Sequence, residues 1–147
     1  MKKVIFLVVS LFYSIVTFAQ EIHSHEVPSI VLNTFKQKFP KASDMEWELK
    51  NTEYKVEFEI GSTDHEAWLD KSGNIVKHKQ DITSNELPKE VTASINKNYK
   101  DSRIDDVEKI ELGEKVVFKV ELKNASKEEN LVFDRNGKLV EINCSII

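Results

Sequence analysis

This chain is poor in the residues that usually build sites or staples. Its single cysteine, Cys144, allows no intrachain disulfide, so the fold must hold by its apolar core. The four glycines and three prolines all read as punctuation. Gly61, Gly73, Gly113 and Gly137 fall in turns, while Pro28, Pro40 and Pro88 sit at helix ends. None is left for a phosphate cradle or a nucleophile elbow. Basic residues are outnumbered, 21 Lys and Arg against 25 Asp and Glu. That balance argues against nucleic acid or anionic lipid as the main partner, because both reward a basic patch. The apolar stretch Val4 to Phe18 is shorter than the ~20 residues needed to span a bilayer, and no stop-transfer pattern follows.

What that stretch does resemble is a secretory signal. Basic Lys2 and Lys3 precede it, and small Thr17, near its end, and Ala19, just after it, stand at the cleavage positions. Cleavage is expected after Ala19, with residues 1–19 removed and the product periplasmic or secreted. No cysteine near that point could accept a lipid, so the mature chain is expected to be soluble, with no membrane span. Loss of two lysines and no acid moves the formal charge from -4 to -6.

The rest of the chain contains a divergent repeat. Val27-Pro28 recurs as Leu87-Pro88, offset by 60, and Val31, Phe35, Phe39 and Trp47 recur as Val91, Ile95, Tyr99 and Val107. Val56, Phe58 and Ile60 match Phe118, Val120 and Leu122 at an offset of 62. Asp70 and Gly73 match Asp134 and Gly137 at 64, a drift that loop insertions would produce. Each copy opens with apolar residues at helical spacing. Val27, Val31, Phe35 and Phe39, joined by Ile30, make one stripe, with Pro28 in the first turn and Pro40 ending the helix. Leu87, Val91, Ile95 and Tyr99 make the other.

The period then changes to two. Met45, Trp47 and Leu49 alternate with Glu46 and Glu48, and Tyr54, Val56, Phe58 and Ile60 alternate with Lys55, Glu57 and Glu59, as in half-buried strands. Asp70 to Asn74 and Asp134 to Lys138 read as hairpin turns, joining strands 66–70 to 75–80 and 130–134 to 139–143. The expected architecture is α+β: two tandem units of one helix and about four meander strands, residues 20–82 and 83–147, with Asp81 to Asn85 as linker. A helix on four strands barely makes a core alone, so the units should share one sheet or pack closely.

The order Val-Pro, Phe35 to Ala42 as Phe-x-x-x-Phe-Pro-x-Ala, Trp47, Tyr54 to Phe58 as Tyr-x-Val-x-Phe, and the Asp70 to Gly73 hairpin resembles the PepSY-like, beta-lactamase-inhibitor-like exported proteins. The likeness covers nearly the whole mature chain, twice. It implies helices on one side of a curved antiparallel sheet whose other side is open, and binding or inhibition of envelope proteins. It carries over no catalytic residue. The second copy departs from the first, with Val107 in place of Trp47 and Val116 in place of Tyr54.

Chemistry is sparsely signalled. His23 and His25 form the histidine cluster; cleavage after Gln20 would put His23 third from a free amino terminus, where copper or nickel could be chelated, but a disordered leader is the simpler reading. Asp70, Ser72, Asp134 and Asn136 begin like calcium loops, yet lack the later bidentate Glu, so turn chemistry explains them better. Cys144 has no evident base. If Ala67 and Leu69 face the helix, Trp68 lies on the open face with Lys55, Glu57, Glu59, Glu66 and His78 as neighbours, a plausible anchor for a partner. A slip of one residue would instead put Trp68 in the core. The expectation is a non-catalytic module binding a protein or peptide through the open face, without cofactor. Small-molecule or metal-ion binding ranks second and an enzyme third.

Overall fold

The structure, a computed structural model, describes residues 20–141. The expected leader, the chemistry of Cys144 and the end of the strand expected over 139–143 lie outside the described residues. Eight strands follow one another in chain order across a single antiparallel sheet. They are β1 (Gln20–Ile22), β2 (Ser43–Lys50), β3 (Glu53–Ile60), β4 (Thr63–Leu69), β5 (Ile75–Asp81), β6 (Arg103–Leu112), β7 (Lys115–Lys123) and β8 (Glu128–Asp134). Helix α1 (Ser29–Lys38) lies between β1 and β2, and α2 (Lys89–Asn98) between β5 and β6.

Directly opposed residues on antiparallel neighbours point to the same side of a sheet. Trp47, Val56, Ala67, His78, Glu111 and Val116 form one such row across β2 to β7. Trp47, Val56 and Ala67 pack against Val31 and Phe35 of α1. Phe118 and Val120, on the same side as Val116, pack against Val91 and Ile95 of α2. Both helices therefore lie on one side of the shared sheet, and among the described residues the other side carries no helix. The first core is aromatic: Phe35 meets Trp47 and Phe58 edge-on, with ring centroids 5.2 and 4.9 Å apart. Pairs of this geometry contribute about 0.5–1.5 kcal/mol beyond area burial.

The repeat is structural as well as sequential. Just before each helix a 3-10 turn carries the same side-chain bond, the His23 or Thr83 backbone N–H donating to the carboxylate of Glu26 or Glu86 at 2.8 Å. Each helix ends with the N–H of Phe39 or Tyr99 donating to the carbonyl of Phe35 or Ile95 at 2.8 Å. Ile22 opposes Trp47, and the N–H of Ile82 donates to the carbonyl of Val107 at 3.0 Å. Strand β1 thus takes the place against β2 that the end of β5 takes against β6.

Four details differ from the sequence reading. Ile30 is 51% exposed on the flank of α1, outside the buried stripe. Met45 is 46% exposed, because a bulge between Ser43 and Glu46, with Asp44 at φ 51°, breaks the alternation that Trp47 and Leu49 keep. The segment around His23 to Glu26 is the 3-10 turn rather than a disordered leader. Beyond Asp134, pairing within the described residues is an isolated bridge from Leu139 to Phe133, not the start of a regular strand.

Candidate functional site

The open face of the first repeat is acidic in a way that strand pairing makes costly. Glu46 opposes Glu57, and Glu57 opposes Glu66, so three carboxylates stand in a row across β2, β3 and β4. Glu59 opposes Asp64, and Asp81 opposes Glu108. Like charges directly opposite destabilise a sheet by about 0.2–1 kcal/mol per pair. These side chains surround a hollow of about 440 Å³ lined by Asp44, Glu46, Glu57, Glu59, Asp64, Glu66, Asp81 and Glu108, with Lys79 as the one lysine on its wall. Lys79 bridges Glu66 at 3.4 Å and Glu108 at 3.2 Å. Burial would lower the Lys79 pKa, but those two carboxylates outweigh it and hold the group above its ordinary value. Among the described residues no ion pair reaches Glu46, Glu59, Asp64 or Asp81. Burial, together with Asp106, Glu108 and Asp64, pushes the Asp81 carboxyl above its ordinary value.

Register places Trp68 on this open face, opposite Lys55 on β3 and Lys77 on β5. It is only 8% exposed. The Lys77 ammonium sits 3.6 Å from its ring centroid and the Lys55 ammonium 5.6 Å, so the indole is roofed by lysines rather than bare. Lys55 is itself buried, paired with Glu57, with Glu66 at 3.6 Å and with Glu48 at 3.7 Å. Burial opposes its charge, yet the Glu57 hydrogen bond and the acids around it raise its pKa. In the second repeat the positions equivalent to Lys55 and Trp68 are Val117 and Val132, and these form an apolar cluster with Ile110. The two halves present different surfaces.

His78 is not on the open face. It opposes Ala67, which turns it to the helical side, where its ring lies 4.9 Å from that of Phe39. The cause is a bulge: Trp68 opposes Lys77 but Leu69 opposes Ile75, so Val76 is an extra residue and every later side chain on β5 changes sides. There His78 Nε2 meets His65 Nδ1 at 3.1 Å, and His78 Nδ1 meets a Glu111 carboxylate oxygen at 3.3 Å. Both imidazoles are buried. Burial pushes each below the ordinary histidine value; the neighbouring His78 adds to this for His65, while Glu111 opposes it for His78. No local sequence signal marks this trio, because Glu111 comes from the other repeat and His78 reaches it only through the bulge.

His23 and His25 stack with centroids 5.4 Å apart on the exposed 3-10 turn. Among the described residues no group of three or more His, Cys, Asp or Glu side chains converges to hold a metal ion. Asp70 and Asp134 act as turn acceptors: Asp70 Oδ1 takes the N–H of Ser72 and Asn74, and Asp134 Oδ1 that of Asn136 and Lys138, all at 2.8 to 3.0 Å. The side-chain and backbone bonds from Asn74 hold the Asp70 carboxyl below its ordinary value.

A doubled unit is also what comparison finds. The family model described as putative beta-lactamase-inhibitor-like, PepSY-like matches residues 15–77 and again 52–141. The chain belongs to this PepSY-like family. Among solved structures, the PepSY-like chain is similar to a DUF2874 family protein from Bacteroides uniformis, at 20% identity and TM-score 0.70, covering 78% of this chain and 86% of that one. It is similar to a BLIP-like protein from Bacteroides fragilis at 24% identity and TM-score 0.68, covering 78% and 83%. A third, described as a putative periplasmic protein from Bacteroides eggerthii, shares 18% identity at TM-score 0.70, covering 78% and 86%. At these identities the likeness is one of fold. No curated protein matches the PepSY-like chain. Among its described residues no helix is long and apolar enough to cross a membrane.

Proposed function

We propose that this chain is an exported, non-catalytic binding module that takes a basic, extended segment of a partner protein on the open face of its first repeat. The observation that carries the reading is the set of directly opposed acid pairs, Glu46 with Glu57, Glu57 with Glu66, Glu59 with Asp64 and Asp81 with Glu108. Lys55, Lys79 and Lys119 offset part of that repulsion at Glu57, Glu66 and Glu108, but Glu46, Glu59, Asp64 and Asp81 have no ion pair among the described residues, and cations brought by a partner would offset the remaining cost. The carboxylates spread from β2 to β6, about 19 Å at the usual strand spacing, which suits several Lys or Arg side chains better than one compact ion. The beta-lactamase-inhibitor-like family description and the signal-like residues 1–19 support an exported, protein-directed role. Within this reading Trp68 and Lys55 form the rim of the site, Glu57, Glu59 and Glu66 are its contacts, and His78 acts from the other side of the sheet.

The test is titration of a fluorescein-labelled oligolysine, with an oligoglutamate control. Glu59→Gln combined with Asp64→Asn should weaken oligolysine binding about tenfold, whereas Glu90→Gln combined with Glu114→Gln, on α2 and the β6–β7 turn, should leave it nearly unchanged. Equal losses from the two double variants would mean that only net charge attracts the peptide. That outcome would remove the open face as the site.

A further inference from the structure

We propose that the His65–His78–Glu111 chain is an acid-labile clasp across the seam between the two repeats. The seam is the β5–β6 pairing, His78 to Asp81 against Glu111 to Glu108. On the helical side of that seam, His65 and His78 from the first repeat reach Glu111 of the second through contacts of 3.1 and 3.3 Å. The rings stack within 3° of each other, held by the rings of Phe58 from β3 and Phe39 at the end of α1.

Donor and acceptor roles follow from the carboxylate. Glu111 accepts, so His78 Nδ1 carries a hydrogen. In neutral His78 the Nε2 is then bare and accepts, and His65 Nδ1 must donate to it. A first proton can enter at His65 Nε2 and leave both bonds in place. A second, on His78 Nε2, sets two N–H groups against each other at 3.1 Å and puts a second cation beside the first. The charged groups acting on the trio are Lys38 from α1 and Lys109 on β6, with Asp64 on β4 from the other side of the sheet; Lys38 and Lys109 oppose a charge on His78, and Asp64 favours one on His65. Glu111 stays ionised: burial works against that, but Lys109 and His78 outweigh it.

The sign of the pH dependence is set by the direction of the shifts. Both histidines are lowered from 6.5 in the folded chain, so the unfolded chain binds more protons just below that value. Stability from the clasp is complete above the ordinary histidine pKa and is lost as pH falls from there towards the folded values.

On the open-face reading, loosening the seam also moves Asp64 and Glu66 on β4 relative to Glu108 on β6, so a bound basic segment would be released in acid. That consequence rests on the proposed function; the clasp does not, and its test needs no ligand. The whole chain is unfolded in urea between about pH 7.5 and about pH 5.5, a window centred on the ordinary histidine value. Native-chain unfolding constants should rise by up to about tenfold for each lowered histidine, because the window reaches about one unit below the ordinary value, and His65→Phe combined with His78→Phe should abolish that rise. Over the same interval, amide protection factors at residues 78–81 of the native chain, taken relative to the intrinsic exchange rate at each pH, should fall ahead of those of the β2–β3 amides. Should the double variant fail to fold, imidazole titration by NMR in the native chain decides alone: both rings must titrate below the ordinary value. Parallel pH profiles for variant and native chain, unchanged protection factors at the seam, or two rings titrating at the ordinary value would each overturn the clasp.

Discussion

Asp64 and Glu59 point the same way on adjacent strands, and the described residues offer neither an ion pair. Asp64→Asn should therefore stabilise the chain by about 0.5 kcal/mol in urea unfolding, while weakening oligolysine binding. A loss of stability instead would mean that Asp64 has a favourable partner and that the acid row is no burden. Trp68 calls for a gentler probe than truncation. Its indole is 8% exposed beneath two lysines, so Trp68→Ala should cost about 3 kcal/mol and confuse binding with folding. Trp68→Phe keeps a ring under Lys77 and separates the two effects: stability should fall by about 1 kcal/mol or less if the lysine roof tolerates the smaller ring.

At the scale of elements, much was readable because apolar residues change spacing where the chain changes structure. Val31 and Phe35 of α1, Val56 and Phe58 of β3, and both Asp-x-x-Gly turns stand as the spacing predicts. What was unreadable came from single extra residues and from pairing over distance. The bulge at Val76 moved His78 across the sheet, and the bulge near Asp44 exposed Met45, since period two carries no mark of an inserted residue. Three-residue β1 is too short to alternate. The acid row was half visible: Glu57, Glu59 and Glu66 follow from alternation, but Asp81 facing Glu108 requires knowing that β5 and β6 pair. Hairpin turns offer a direct test of how elements touch. A Cβ on Gly137 (φ 73°) would lie 2.2 Å from the Glu90 carbonyl oxygen of α2, and one on Gly73 would lie 3.1 Å from the Ile30 carbonyl oxygen of α1. Gly113 has the same left-handed backbone and open space around it. The Ala variants should rank in cost as Gly113, Gly73, Gly137, the first losing about 1 kcal/mol from backbone conformation alone and the last at least about 2 kcal/mol more from overlap. Equal losses would mean that the turn does not brace the helix.

Over the whole molecule, two cores lie under one sheet, the first built on α1 and the second on α2, joined by the β5–β6 pairs and the histidine clasp. Neither core is large, and a helix with a few strands is barely stable by itself, so the free energy of each half depends on its neighbour. Both tryptophans, Trp47 and Trp68, belong to the first repeat, so fluorescence watches that half while far-ultraviolet circular dichroism watches both. Phe133→Ala removes a fully buried ring from the second core and should cost about 3–5 kcal/mol. If the sheet binds the repeats into one cooperative unit, the tryptophan midpoint in urea must fall together with the dichroism midpoint, although Phe133 lies in the other half. A tryptophan transition that stays in place while the dichroism splits into two steps would show halves that fold independently, and the seam would then be a hinge between them rather than a joint.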